Sequence, residues 1–375
     1  MEHHPFTDLD TSSRILLGPG PSMVPPRVLR AMATPLLGHL DPEFLVVMDE
    51  EQQLLRSIFQ TQNPLTLSVP GTGSAGMEAA LCNFIEPGDR VLVAIMGFFG
   101  ERLYEMAVRY GAQADRIERP WGQVFDPSEI EAALKAKPYK ILALVHAETS
   151  TGAQQPGIAE IATAAHRHGA LLVLDIVTSL GGIPVEIDAW GVDVAYSAVQ
   201  KGLSCPPGLA PLTVSPHARQ ILQSRKTPVA NWYLDLNGLA KYWEAPHAYH
   251  HTAPISLHFA LREGLRVALE EGLEARFARH RANAERLWEG LEALDLPPLV
   301  PQPLRLTTLT TPQIPPSVDD AVVRRRLLED YNIEIAGGFG PLKGKVWRIG
   351  LMGFSSRREN VALLLTALEQ LLRNP

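Results

Sequence analysis

The sequence predicts an α/β protein whose large domain has a mostly parallel, mixed β-sheet flanked by helices. In the first half, short apolar runs typical of buried strands alternate with helical segments, as in doubly wound sheets. After residue 257 a long helical stretch precedes short strands and helices, which predicts a smaller C-terminal α/β domain. We therefore expect an N-terminal arm over residues 1–22, a large domain over 23–271 and a small domain over 272–375.

The individual elements follow from apolar periodicity and from the Gly and Pro residues that interrupt it. Helices are predicted over residues 27–32, 42–59, 77–84, 101–110, 127–135 and 157–168. Strands are predicted at Leu65, Val91, Ile141, Leu171 and Val192, with an antiparallel strand at Leu209. In the small domain the prediction is a helical stretch 257–294 with a hinge near Gly272, strands at 305–311, 333–335 and 346–351, and helices 319–331 and 359–372. The stretch 227–243 has no predicted structure.

Composition excludes several classes of function. The net charge is −7 and no basic stripe is present, so no nucleic-acid partner is expected. No apolar run is long enough to span a bilayer, and the first residues lack a secretory pattern, so we expect no membrane association. The two cysteines, Cys82 and Cys205, lack metal-ligand spacing and suit a reducing compartment. The expectation is a cytoplasmic protein without a metal.

An acid and a lysine follow neighbouring predicted strands. Asp175 ends the apolar run from Leu171, and Lys201 follows the run from Val192. Because parallel strands end at the same edge of a sheet, the two side chains are expected to meet there. Pyridoxal phosphate requires such a pair: the lysine amine condenses with the aldehyde, and the carboxylate keeps the pyridine nitrogen protonated. If the strand continues, Val177 faces the same way and packs on the ring.

A glycine-rich segment, Gly71–Gly76, lies between the strand at Leu65 and a helix, where backbone amides favour a phosphate. Its glycines also fit the G-x-G-x-x-G pattern of dinucleotide-binding proteins. That pattern requires an acid about 20 residues later, and Met96 occupies this position. No Gly-Lys-Ser/Thr follows either, so the dehydrogenase and P-loop interpretations both fail.

Three segments resemble the class V aminotransferases of pyridoxal phosphate fold type I: Asp175-Ile-Val, Ser197-Ala-Val-Gln-Lys201 and Pro206-Pro-Gly. The resemblance is strongest to the alanine–glyoxylate and serine–pyruvate aminotransferases. It extends from Leu16 to Gly353, almost the whole chain.

The resemblance implies a set of binding residues and a homodimer with shared active sites. The implied cofactor contacts are Thr72, Gly73, Ser74 and Gln200 at the phosphate, Phe99 and Val177 at the ring faces, Thr149 at the ring hydroxyl, and Tyr249 and Thr252 at the phosphate of the partner subunit. It also puts the loops of Gly20 and His39 beside the substrate. Of the two phenylalanines at 98 and 99, Phe98 is expected to belong to the core.

Arg348 lies in the middle of a predicted apolar strand. A buried guanidinium needs a carboxylate partner, because leaving it unpaired is costly. The partner is either an internal acid or the α-carboxylate of a substrate, which a planar guanidinium binds with two hydrogen bonds. The match to the family's carboxylate-binding arginine favours the substrate.

The predicted function is pyridoxal phosphate-dependent transamination between alanine or serine and glyoxylate or pyruvate. A cysteine desulfurase would need a cysteine after Cys205, and none is present. A non-catalytic carrier would not need Arg348. The ureidoglycine–glyoxylate aminotransferases remain an alternative, although their counterpart of the Tyr249–Thr252 segment differs.

The predicted site loops contribute no second cation for a dicarboxylate substrate. Four basic residues lie outside these loops and remain candidates for such a cation, from the same chain or from the partner subunit: Arg27, Arg102, Arg225 and Lys226.

Overall fold

A computed structural model describes residues 9–373 of the chain; the first eight residues of the predicted arm and the last two residues of the small domain lie outside this range. The strands are β1 Ile15–Leu16, β2 Leu65–Pro70, β3 Arg90–Ile95, β4 Gln113–Glu118, β5 Ile141–Val145, β6 Ala147–Glu148, β7 Ala153–Gln154, β8 Leu171–Asp175, β9 Val194–Tyr196, β10 Leu209–Val214, β11 Leu309–Thr310, β12 Ile333–Glu334, β13 Ala336–Gly337 and β14 Trp347–Gly350. The helices are α1 Pro26–Met32, α2 Pro42–Phe59, α3 Gly73–Cys82, α4 Phe98–Arg109, α5 Pro127–Leu134, α6 Ile158–Arg167, α7 Ile187–Trp190, α8 Pro216–Gln223, α9 Leu236–Trp243, α10 Ile255–Glu271, α11 Leu273–Ala293, α12 Asp320–Tyr331 and α13 Arg358–Arg373.

The central sheet has seven strands in the order β2-β10-β9-β8-β5-β3-β4. Only β10 is antiparallel to its two neighbours, which confirms the predicted mostly parallel, mixed sheet. The carboxyl ends of β2, β5, β8 and β9 therefore lie at one edge. Strand β4 was not predicted, because it is a polar edge strand with alternating exposed residues that lack an apolar run.

Helices cover both faces of this sheet. Along β3, Val91, Val93 and Ile95 pack into one hydrophobic cluster, and Leu92 and Ala94 pack into another on the opposite face. Strands buried on both faces read as continuous apolar runs, which is why they were visible in the sequence. None of the helices in residues 9–373 is long and apolar enough to cross a membrane.

The C-terminal part contains a three-stranded sheet, β11-β14-β13, with its own hydrophobic core. Gly272, with φ of +83°, separates α10 from α11 at the predicted hinge. We propose the domain boundary at this position. Strand β1 of the predicted arm pairs with β12, and Leu17 lies in the small-domain core, so this segment is packed against the small domain.

Several element boundaries differ from prediction. Helix α3 begins at Gly73 and α4 at Phe98, each several residues earlier than expected, so part of the glycine-rich segment 71–76 lies in the first turn of α3, and Gly97 is the N-cap of α4. The predicted strand at 305–311 is reduced to Leu309–Thr310. Helix α9 occupies half of the unassigned stretch 227–243. Apolar periodicity does not report these ends, because Gly and Thr residues fit turns and helix starts equally well.

Candidate active site

A cavity of about 180 Å³ opens at the carboxyl edge of the central sheet. Most of the sequence-predicted cofactor residues line it together: Thr72, Gly73, Ser74, Phe99, Thr149, Asp175, Val177, Gln200 and Lys201. The first three follow β2, Asp175 ends β8, and Lys201 lies beyond β9. The parallel arrangement thus brings the predicted acid and lysine into one cavity.

Asp175 is buried and held by two donors. The backbone amide of Val177 donates to Oδ1 at 2.8 Å, and the hydroxyl of Tyr196 donates to Oδ2 at 2.7 Å. Burial raises the pKa of Asp175 to about 6, although both hydrogen bonds favour the carboxylate. The strand ends at Asp175, so Val177 reaches the cavity through the turn that this hydrogen bond closes, and not by strand alternation as predicted. Tyr196 was not predicted.

The side chain of Lys201 lies against the N-terminal loop, where its Nζ donates to the carbonyl of Pro19. A Cβ added to Gly20 would lie 2.7 Å from Nζ, and φ at Gly20 is +109°, so only glycine fits this approach. Burial lowers the pKa of Lys201 to about 8; the positive charge of Arg348 adds to the lowering and Asp175 opposes it. The amine is therefore largely neutral in mildly alkaline solution, as a nucleophile requires.

The other end of the cavity suits a phosphate. Thr72 is the N-cap of α3, and its side chain makes no capping hydrogen bond. Oε1 of Gln200 is buried without a hydrogen-bond partner in the described residues. Nη1 of Arg102 donates to the Ser74 hydroxyl at 3.1 Å, and Arg102 lines the cavity. The N-terminus of α3, the Thr72 and Ser74 hydroxyls and the Arg102 guanidinium fit the phosphate of pyridoxal phosphate, to which the Gln200 side chain can add a donor through its amide nitrogen.

Glu148 is a buried acid beside the cavity that sequence reasoning missed. Its carboxylate accepts hydrogen bonds from the Ser150 hydroxyl at 2.6 Å and from the backbone amide of Phe99 at 3.2 Å. Burial raises its pKa, while these donors favour the charged form. Because Phe99 lies in the first turn of α4, the hydrogen bond to Glu148 helps to fix that ring at the cavity wall. Thr149, the next residue, shares a hydrogen bond with the hydroxyl of Thr178.

Arg348 is a buried guanidinium without an acidic partner. Only 5 % of its surface is exposed, and no carboxylate lies within 4.0 Å of it in the part of the chain that the structure describes. Its Nε donates to the carbonyl of Gly337 at 2.8 Å, and its Cζ lies 3.7 Å from the ring centroid of Phe339. Burial lowers its pKa to about 10, which leaves it charged at neutral pH. No internal ion pair within 4.0 Å is therefore formed in residues 9–373, although the buried carboxylate of Glu148 is near enough to oppose the lowering of the Arg348 pKa.

Tyr249, Thr252 and His39 do not line the cavity of their own chain. Tyr249 is 62 % exposed, Thr252 is exposed, and the rings of Tyr249 and His39 lie 5.2 Å apart. Within one chain these three residues thus lie away from Lys201, at a surface that a second copy could cover.

Two expectations about nearby residues need correction. Phe98 is not a core residue: it is partly exposed and contacts Phe339 of the small domain, because α4 starts at Phe98 and turns its ring outward. The predicted site loops supply no cation, but α4 supplies Arg102. Of the other basic residues considered, Arg27 pairs with two glutamates, Arg225 donates to backbone carbonyls and Lys226 is exposed.

Comparison with known proteins agrees with this geometry. Residues 14–351 match the family model Aminotransferase class-V. A solved alanine–glyoxylate aminotransferase from Nostoc sp. is 55 % identical, superposes with a TM-score of 0.97 and covers 98 % of this chain and 97 % of its own. The (S)-ureidoglycine–glyoxylate transaminase of Bacillus subtilis and the alanine–glyoxylate aminotransferase of Callithrix jacchus are each 42 % identical; they cover 97 % and 98 % of this chain, and 92 % and 89 % of their own lengths. The resemblance seen in the sequence is confirmed: the chain belongs to the class V aminotransferases, which are pyridoxal phosphate enzymes of fold type I.

Proposed function

We propose that this enzyme transfers an amino group from alanine or serine to glyoxylate or pyruvate. The observation that carries the proposal is Arg348, a buried, charged guanidinium with no carboxylate partner in the described residues. Each of these substrates carries one α-carboxylate, which would form an ion pair with Arg348. Lys201 binds the carbonyl of Pro19, and Gly350, two residues after Arg348, donates to the carbonyl of Leu17, so the N-terminal loop brings the amine near the strand of Arg348.

When bound, pyridoxal phosphate supplies the electron sink for bond breaking at the substrate Cα. We assign its phosphate to Thr72, Gly73, Ser74 and Gln200, with Arg102 supporting Ser74. Asp175 would hold the proton on the ring nitrogen, and that positive charge would in turn lower the pKa of the carboxylate. Phe99 and Val177 would pack on the ring, and Thr149 would bind its hydroxyl.

Lys201 is the proposed proton carrier. Its Nζ would hold the cofactor through the aldehyde until a substrate amine takes that place. The neutral amine would then carry a proton from the substrate Cα to the cofactor. Arg348 holds the carboxylate so that the proton on Cα points at Nζ, and Gly20 leaves room for the lysine side chain. The ring of His39 lies 5.2 Å from that of Tyr249, so we assign His39, together with Tyr249, to the active site of the partner subunit.

Arg102 changes the argument against dicarboxylate substrates. A glutamate side chain would need a second cation, and Arg102 is a second cation in the cavity. Its hydrogen bond to Ser74 on the phosphate loop supports its use at the phosphate end. We therefore retain the small-substrate proposal.

A panel of donors and acceptors with the purified holoenzyme tests the proposed function. Catalytic efficiency for alanine or serine with glyoxylate or pyruvate should exceed that for glutamate with 2-oxoglutarate by about 100-fold or more, the scale at which a missing polar partner discriminates. A preference for glutamate would assign Arg102 to the distal carboxylate and overturn the proposal.

The second candidate is ureidoglycine as amino donor with glyoxylate as acceptor. It is favoured by the Bacillus subtilis relative, which is as similar in sequence as the Callithrix jacchus protein. Adding ureidoglycine to the same panel separates the two candidates, because alanine should then be a poor donor.

We further propose that the active species is a homodimer in which Tyr249 and Thr252 complete the cofactor phosphate site of the partner. Large apolar side chains are exposed next to this segment: Trp232, 70 % exposed, stacks on His250, and Leu36 and Leu40, 70 % and 43 % exposed, flank in sequence His39, whose ring contacts Tyr249. Exposed apolar surface of this kind marks protein interfaces.

Mixed dimers should recover activity if the sites are shared. One subunit carries Lys201→Ala and the other carries Tyr249→Ala with Thr252→Ala; each homodimer should be nearly inactive. In the mixed dimer both defects fall on one site, so about half of the wild-type specific activity should return. Purification through two different tags and light scattering identify the mixed species. An inactive mixed dimer, or an active monomer, would contradict shared sites.

The remaining expectations concern the cellular context. Cys82 and Cys205 are both buried and free, which is compatible with the proposed cytoplasmic location. With a net charge of −7, we still expect small-molecule substrates and neither nucleic acid nor a membrane as partner.

A further inference from the structure

We propose that Phe98 and Phe339, two rings in contact beside Arg348 and next to the cavity-lining Phe99, form a wall that limits the amino donor to side chains of about the size of alanine or serine. This inference rests on the proposed function, because it specifies how that site selects its donor. The wall joins the two parts of the chain, with Phe98 opening α4 and Phe339 following β13.

Within residues 9–373, Arg348 has only one edge of its guanidinium without a partner. Phe339 covers one face of the guanidinium at 3.7 Å, and Nε is used by the carbonyl of Gly337. No described residue accepts a hydrogen bond from Nη1 or Nη2. The substrate carboxylate can therefore approach only along this edge, in the plane of the guanidinium and beside the Phe339 ring.

Ring contacts connect Arg348 to the cofactor cavity. The rings of Phe98 and Phe339 lie 4.8 Å apart with an interplanar angle of 37°. Phe98 in turn contacts Phe99, a cavity-lining residue, edge to face at 5.5 Å. The wall thus extends without interruption from the guanidinium to the ring that we assign to the cofactor face.

Neighbouring groups hold both rings in place. The Arg102 guanidinium lies 5.2 Å from the Phe98 ring, on an arginine that Ser74 also binds. The turn that carries Phe339 is tight: a Cβ on Gly338 would lie 2.2 Å from the carbonyl oxygen of Leu342. Packed aromatic rings on a constrained backbone resist displacement. Binding of a larger substrate side chain is therefore weakened by the free energy needed to move them.

A bound amino acid has little conformational freedom between Arg348, Lys201 and the two rings. Its carboxylate is placed by Arg348 and its Cα by Lys201, so the Cβ substituent must fit in the remaining space beside Phe98 and Phe339. A methyl or hydroxymethyl group needs little space, whereas a branched or aromatic side chain would overlap the wall.

Two truncations and a matched control test the wall. Phe339→Ala removes one ring and the cover of Arg348, and Phe98→Ala removes the other ring only. The control is Phe354→Ala, which also removes a phenylalanine near an arginine, Arg357 at 5.2 Å, but beside a different cavity. The catalytic efficiency, kcat/KM, is measured for each holoenzyme with alanine, leucine and phenylalanine as amino donors. Binding of unreactive lactate and phenyllactate is measured from changes in the cofactor absorption spectrum.

In both wall variants, the efficiency ratio of leucine or phenylalanine to alanine should rise at least about tenfold, the scale of steric discrimination in apolar pockets, and phenyllactate should bind more tightly relative to lactate. Phe339→Ala should also weaken lactate about fivefold through loss of the ring over Arg348, whereas Phe98→Ala should not. Phe354→Ala should leave both ratios unchanged. If Phe339→Ala does not fold, Phe339→Leu should change the same ratios in the same direction, by a smaller factor.

Unchanged ratios in folded wall variants, or an equal change in the control, would overturn the wall. If the wild-type enzyme itself fails to use alanine or serine, the proposed function fails instead. The two 2-hydroxy acids would still report on the wall in that case.

Discussion

Replacement of Lys201 by alanine should abolish amino transfer and leave the fold intact. The variant loses both the amine that binds the cofactor aldehyde and the base that takes the proton from the substrate Cα, so the rate should fall by about 10⁴-fold or more, the upper range for a lost base. The truncation removes a destabilising buried amine, whose lowered pKa shows that burial disfavours its charged form. Turnover and thermal unfolding of Lys201→Ala are the measurements.

The matched control is Lys226→Ala, which removes an exposed amine. Reduction of the wild-type holoenzyme with borohydride, followed by peptide mapping, should label Lys201 alone. Capture of cofactor by the cofactor-free wild type should accelerate as the pH rises through about 8, where the Lys201 amine becomes neutral, and then level off. A label on any other lysine, or turnover in Lys201→Ala, would contradict the assignment.

Asp175→Asn should slow turnover by about 10²–10³-fold, the cost of removing a preorganised electrostatic group from a buried site. The amide has nearly the same shape and its oxygen can accept from the Val177 amide or the Tyr196 hydroxyl. The negative charge that holds the proton on the ring nitrogen is lost. The variant should therefore fold and bind cofactor but transfer amino groups slowly.

Asp193→Asn is the control for burial. Asp193 is as buried as Asp175, but it lies at the opposite end of the sheet, where its carboxylate bonds His166 at 2.8 Å and the Leu172 amide at 2.9 Å. Its amide variant should lose stability and keep its turnover number per folded enzyme. Nearly normal turnover in Asp175→Asn, or equal losses in both variants, would mean that Asp175 is not the ring-nitrogen partner.

The pairing of Asp175 with Lys201 could be predicted because it depends on strand order and little else. Both residues follow apolar runs, and parallel buried strands are the elements that sequence periodicity reports best. Arg348 was likewise visible as a charge inside an apolar strand. Hydrophobic burial determines these positions, so the amino-acid pattern carries the information.

The residues that sequence reasoning missed or left open depend on contacts between distant segments. Arg102 was one of four candidate cations, and it lines the cavity with its guanidinium on Ser74. Glu148 looked like part of a polar turn, although it is buried and binds the start of α4. Phe339 follows β13, far along the chain from Phe98, and the two rings nevertheless contact each other. Local periodicity contains no signal for such long-range contacts.

A single-turnover experiment with alanine tests the central claim most directly. Holoenzyme is mixed with excess alanine and no 2-oxo acid, excess reagent is removed, and glyoxylate is then added while pyruvate and glycine are quantified. The proposed two-stage transfer predicts one pyruvate per active site in the first stage, no further pyruvate on longer incubation, and one glycine per site after glyoxylate. The account would be contradicted if no pyruvate formed, if pyruvate accumulated continuously without an acceptor, or if glyoxylate yielded no glycine.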